Sequence, residues 1–416
     1  MSPFLFAIAM EYLSRNLREL KHVKEFKYHP QCAKLGVTHL CFADDLLLFS
    51  KGDVASVRAM QRCFQIFSNA SGLQANLGKS TIYFGGVSQD TKDAILQQWG
   101  LTIGDLPFKY LGVPLSTKKL STLQWYPLIE KIIAKISTWT AKKLAYAGRV
   151  QLVQSVLFGV QSYWAQLFLI PSKILKLING YCRSFIWSGA KVITKKSLVS
   201  WEKMCSPISA GGLNLTHLQK WNQAAVTKLC WNLAHKEDKL WIKWIRTYYI
   251  KNRDLRDWPI PQQASRMTRK IMAAKDLLLQ LPATIVQKTL IRQYYLQLLG
   301  ELPRVQWKSL MFGNQARPKA RFIMWLTLQQ RLLTTDRLIK WGDCPVSTWE
   351  EILAWSIKRA KGKSQTAKLF KMVFTEYTYA IWIERNQRLF EQKSKSVETI
   401  AKDLAYICNV RAPLDI

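Results

Sequence analysis

The sequence predicts an α+β chain: a small antiparallel sheet with helices, followed by a mostly α-helical remainder. Three observations predict it. Residues 1 to about 116 mix short β-forming runs with helical stretches, broken by glycines. From Leu120 onward the apolar residues recur almost wholly at helical spacing. The 416 residues are 49% hydrophobic, enough to build cores for two or three domains.

In chain order, Ser2-Pro3-Phe4-Leu5-Phe6 opens an apolar helix that runs to about Leu20. His39 to Phe49 reads as strand, tight turn, strand, with Asp44 and Asp45 at the turn. Met60 to Ala70 is helical, with Cys63, Phe64, Ile66 and Phe67 towards one side. Gly72 and Gly78 punctuate, Thr81 to Phe84 is a strand, and Asp90 to Trp99 is a helix closed by Gly100.

Leu128, Ile129, Ile132, Ile133 and Ile136 then mark one helix, and Leu152, Val153, Val156, Leu157 and Val160 a second. Pro171 precedes a third, with Ile174, Leu175, Ile178, Cys182 and Phe185. Gly211-Gly212-Leu213 introduces a helix over Trp221 to Trp231. The aromatics at 241, 244, 248 and 249 are expected to be core. Asn252 to Arg269 is rich in Pro, Gln and Arg and reads as a linker.

Charge narrows the partner. Lys and Arg number 61 against 27 Asp and Glu, a formal net charge of +34, which favours a polyanion. Basic residues interleave with aromatics, including 17 Trp, so RNA and DNA are the expected partners. The eight cysteines contain no Cys-x-x-Cys pair and read as reduced thiols. The N-terminus lacks the basic n-region of a secretory signal. An intracellular protein, nuclear or cytoplasmic and not secreted, is therefore expected. Val150 to Ser172 has no charged residue, but its Gln and Ser side chains fit a buried helix of a soluble protein and not a membrane span.

The carboxylate pair has two readings. Adjacent acids in an apolar run are costly unless a cation shares the site, and Mg²⁺ holding nucleotide phosphates is the obvious one. Asp pairs also occur at turns, where their side chains bond local N–H groups. The neighbours favour the first. Ser2 to Phe6, the Phe42-Ala43-Asp44-Asp45 turn, Ser71-Gly72-Leu73 through Asn76 to Lys79-Ser80, and Tyr110-Leu111-Gly112-Val113-Pro114 come in an order that resembles the C-terminal half of a reverse transcriptase palm. The resemblance is to the LINE-type (non-LTR) retrotransposons of plants. It implies that Asp44 and Asp45 are catalytic metal ligands, that Lys79 lies near the incoming nucleotide, and that Tyr110, Leu111 and Gly112 grip the primer end.

The family's further carboxylate lies upstream of Ser2-Pro3, and Asp53, Asp90, Asp93 and Asp105 match no position for it. An incomplete catalytic centre is expected, and losing one ligand removes most of the stabilisation of a transferring phosphoryl group. Downstream, Ala147-Gly148-Arg149 and Phe185-Ile186-Trp187-Ser188-Gly189 resemble the thumb region of the same elements. Lys135, Lys142, Lys143 and Arg149 are the candidates for phosphate contacts, with a solvated basic face as the alternative.

Trp307, Pro318 to Phe322 and Arg331 to Leu338 resemble the start of the zinc-binding domain that follows the thumb. The Cys-x-x-Cys and His expected next are missing, and Trp341-Gly342-Asp343 runs directly into an orphan Cys344. A lone Cys cannot hold structural zinc, so no zinc site is expected. Lys358, Arg359, Lys361 and Lys363 form a basic loop, and Tyr379 to Arg388 resembles the family's C-terminal tail.

The domains expected are therefore 1–116, a partial palm; 117–200, a helical thumb; 201–300, a helical connection; 301–345, a zinc-domain remnant; and 346–416, a basic helical tail. The reading favoured is a fragment of a LINE-type reverse transcriptase that binds nucleic acid without catalysing alone. The alternatives are an RNA-directed DNA polymerase using Mg²⁺, completed in trans by a full-length reverse transcriptase, and a decayed reading frame without selected function.

Overall fold

A computed structural model describes every residue except 1, 117–119, 141–143, 158, 160–162, 165–167, 196, 259, 281–289, 333–347 and 412–416. The chain forms two compact units, residues 1–120 with 229–280, and residues 121–228 with 281–416. The fold class is α+β, as expected.

In the first unit, helix α1 (Ser2–Glu19) and helix α2 (Val54–Ser71) make the core. Leu13 and Leu17, with Leu20 just past the end of α1, recur at helical spacing, and they are buried against Phe26, Ala59, Met60 and Phe67. Asp53 starts α2 by accepting the Ser56 N–H at 2.8 Å. The other side of α1 is bare: Phe4, Leu5 and Ile8 are 76%, 63% and 67% exposed.

The expected sheet is three two-stranded pieces. Strands β1 (His39–Phe42) and β2 (Asp45–Leu48) pair antiparallel, with Phe42 opposite Asp45. Strand β3 (Thr81–Ile82) pairs parallel with β4 (Thr102–Ile103), and helix α3 (Gln89–Trp99) connects them. Strands β5 (Phe108–Tyr110) and β6 (Val113–Leu115) pair antiparallel. Such short runs, broken by Gly and Pro, offer too few ladder bonds to pair more widely.

Leu46 and Leu48 pack on the α1–α2 core. The base of the β1–β2 hairpin is also pinned: His39 Nε2 lies 2.9 Å from Ser14 Oγ on α1, and Nδ1 lies 2.9 Å from Thr38 Oγ1. The helix Leu240–Ile245 and the π-helical turn Arg246–Ile250 correct one expectation, since their core is aliphatic: Ile242, Ile245 and Ile250 are buried. The aromatics are half-buried and hold the 30–34 segment instead. Trp244 Nε1 donates to Gln31 O at 2.7 Å, and Tyr248 donates to Pro30 O at 3.3 Å.

In the second unit, α4 (Tyr126–Thr140) buries Leu128, Ile129, Ile132 and Ile136. Helix α5 (Tyr146–Leu152) passes into a π-helical turn at Val153–Leu157. Among the described residues no helix is long and apolar enough to cross a membrane. Helix α6 (Ser172–Ser188) buries the predicted stripe and ends at Gly189, whose φ is +71°. Helix α7 (Pro318–Leu328) is buried on nearly every side, and Trp325 Nε1 donates to Gly211 O at 2.9 Å. Gly212 admits no side chain, because a Cβ there would lie 1.9 Å from Ser206 O.

Helices α8 (Trp349–Arg359), α9 (Gln365–Asn386) and α10 (Val397–Arg411) complete the unit. Helix α9 carries buried polar residues towards α7. Glu376 is wholly buried and accepts the Arg317 N–H at 2.7 Å and its guanidinium at 2.7 and 2.9 Å. Asn314 Nδ2 donates to Leu310 O, Lys371 O and Thr375 Oγ1.

Removing one partner of a buried charge pair leaves the other unpaired. Glu376→Ala is expected to lower the stability of this unit by about 3 kcal/mol or more in urea unfolding. His39 gives a pH prediction. Burial and then Arg18 hold its pKa below the ordinary 6.5, against a smaller opposite pull from Glu11. Its contribution is therefore complete above about pH 6.5 and is lost as the pH falls through the lower folded value. The urea midpoint of the first unit should drop between pH 7.5 and pH 5, and by less in His39→Gln.

Candidate functional site

The β1–β2 register leaves a two-residue loop, Ala43-Asp44, with Asp45 as the first residue of β2. Successive strand residues face opposite sides, so burying Leu46 and Leu48 turns Asp45 outward. Both acids are exposed. Ala43 alone in the loop has positive φ, +50°, the pattern of a type II′ turn, whose first central position favours glycine. The turn that presents the acids is thus strained.

A second tight hairpin lies beside it. Leu111 and Gly112 form the β5–β6 loop with φ of +49° and +78°, the type I′ pattern, which glycine at 112 accommodates. Burial pushes the Tyr110 phenol above its ordinary value of 10, and the Asp45 carboxylate and then Cys41 push it further. The structure therefore brings Tyr110 and Asp45 into electrostatic range. At the open end of this hairpin, Phe108 packs on Tyr83, their ring centres 4.8 Å apart. The Tyr83 ring covers Gly104, where a Cβ would meet it at 2.5 Å.

Lys79 is exposed in the short turn Leu77–Lys79, whose geometry Asn76 fixes by accepting the Lys79 N–H at 3.2 Å. Among the described residues no ion pair joins Lys79 to either acid. Lys135 is exposed on α4, at the edge of its buried stripe. Arg149 is engaged structurally: its guanidinium donates to Ile186 O at 3.2 Å, near the end of α6, and lies over Tyr146 at 5.4 Å. Gly189 makes room for it, since a Cβ there would stand 3.0 Å from the guanidinium. Lys142, Lys143 and Cys344 lie outside the described residues.

A two-metal centre needs at least one carboxylate beyond this pair. Among the described residues no three His, Cys, Asp or Glu side chains come together to share a metal. Among the described residues Asp44 and Asp45 thus stand as a pair, without a third such side chain grouped with them. Sequence reading missed the His39–Ser14 anchor and the Arg317–Glu376 pair. Both join residues far apart in sequence, and neither carries a local pattern.

Residues 1–115 match the family described as reverse transcriptase (RNA-dependent DNA polymerase). Residues 290–348 match the family described as zinc-binding in reverse transcriptase. That second stretch contains one cysteine, Cys344, and no histidine. A putative ribonuclease H protein of Arabidopsis thaliana is 28% identical to this chain over 163 residues, which is 39% of the chain and 26% of that relative. The chain thus aligns with about a quarter of the relative's length. Two regions of the chain, 1–115 and 290–348, are thus similar in order to the polymerase and zinc-binding regions of reverse transcriptases, and residues of the chain are similar to a plant relative.

Proposed function

We propose that this chain carries part of a LINE-type reverse transcriptase and binds RNA and DNA but does not extend a primer by itself. The observation that carries the reading is the site's geometry. The two acids sit exposed at a tight hairpin turn, with the Asp45 charge felt at Tyr110, and no third ligand joins the acids among the described residues. Charge transfer to a leaving phosphate is stabilised chiefly by the metals. A partial ligand set therefore keeps the shape of a polymerase site and loses most of its rate. Binding needs none of this: a net charge of +34 attracts phosphates without any metal.

Completion in trans is the second reading. Both acids face solvent, so a carboxylate from a full-length reverse transcriptase has access to them. Zinc is not expected to be held by residues 290–348, because a single cysteine cannot close a four-ligand site.

Primer extension on an RNA template with Mg²⁺ tests the first reading. The pure chain should give no extension that Asp44→Ala abolishes, and any Asp44-dependent extension refutes it. Extension that appears only when a full-length reverse transcriptase with a disabled acid pair is added establishes completion in trans. Filter binding to RNA should weaken about 10³-fold or more between 50 and 200 mM salt if six or more phosphates are contacted. A flat salt response argues against phosphate contacts. Elemental analysis should find no stoichiometric zinc in the purified chain.

A further inference from the structure

Helices α8 and α9 are joined by a short turn that lies beyond both family-matched regions. Lys358 and Arg359 close α8, and Lys361 and Lys363 follow in the turn. All four are exposed, and among the described residues none has a carboxylate within ion-pair distance. Cations in the last turn of a helix complement its dipole, which accounts for Lys358 and Arg359. It does not account for Lys361 and Lys363, which stand past the end. A further cation backs the turn: Lys371 is 7% exposed, with its Nζ 3.5 Å from both Gly362 O and Phe312 O.

Beneath these charges runs an aromatic ladder. Phe374 and Phe370 stack with ring centres 5.8 Å apart and planes within 9°. Phe370 meets Trp355 edge-on at 5.5 Å. The Arg359 guanidinium lies over the Trp355 ring, 4.5 Å from its centre. Phe370 and Phe374 pack in turn on the buried cluster of Leu310, Met324 and Ile381. The ladder therefore rises from the core and ends in a planar cation held at the surface. Fixing the guanidinium before any ligand arrives removes much of the ordering cost of binding.

We propose that this turn is a subsite for single-stranded nucleic acid. A base stacks on the outer face of the Arg359 guanidinium, and Lys358, Lys361 and Lys363 meet the flanking phosphates. A flat cation backed by Trp355 suits an unpaired base, whereas an acidic peptide would use its charge alone. The proposal rests on the nucleic-acid binding argued above and locates part of it.

The test uses the full chain and a fluorescently labelled 12-nucleotide oligo(U), titrated by anisotropy at several salt concentrations. Arg359→Lys keeps the charge and removes the plane, and is expected to weaken binding about tenfold. The triple variant Lys358→Gln, Lys361→Gln, Lys363→Gln is expected to flatten the slope of log K against log salt by about 2. Removing equal charge elsewhere in the unit, at Lys173, Lys176 and Lys195, should flatten it less. If the unaltered chain does not bind, the nucleic-acid reading itself fails. If it binds steeply but Arg359→Lys binds equally well, the subsite is overturned and the broader reading stands.

Discussion

Leu46 and Leu48, half-buried, pack on the core made by α1 and α2, and the alternation of a strand then points Asp45 away from it. Almost everything at the candidate site follows from that burial. The two-residue loop is short because Phe42 pairs with Asp45, and Ala43 must take a positive φ to close it. His39 ties the hairpin's base to Ser14 on α1, while the turn itself is exposed. The β5–β6 hairpin completes the arrangement by bringing Tyr110 towards Asp45.

The second unit is organised differently. Arg149 joins two separate sequence segments, Ala147-Gly148-Arg149 and Phe185 to Gly189, into one structural device: an arginine bonded near the end of α6, with a glycine beside it to make space. Helix α7, inside the stretch matched to a zinc-binding family, is anchored through Trp325 and Gln329, which both donate to the Gly211 carbonyl. Its entry is fixed by Arg317 on the buried Glu376. The described part of this stretch is thus held by ordinary hydrogen bonds and packing.

What the sequence made legible was largely local. The helix over Asp90 to Trp99 with its Gly100 cap, the stripe of α6 and the Asp44–Asp45 turn all follow from spacing and turn chemistry within a dozen residues. Distant pairings were not legible. Nothing in the local pattern assigns Ser14 to His39 or Glu376 to Arg317, since hydrogen bonds across 25 or 59 residues are decided by packing. The aromatics at 244 and 248 misled for a related reason: their polar tips reach backbone carbonyls, and that keeps them near the surface while isoleucines fill the interior. The helix-end partner of Arg149 lies 37 residues away, so its contact with Ile186 O was not legible either.

The uncovered apolar stripe of α1 and the large positive charge act against one another in solution. Phe4, Leu5 and Ile8 offer a sticky surface, and mutual repulsion between molecules carrying +34 holds such surfaces apart. Electrolyte shortens the range of that repulsion without weakening hydrophobic attraction. Dilute buffer is therefore where the protein should stay monodisperse, and concentrated buffer is where it should cluster, the reverse of the usual remedy for a basic protein.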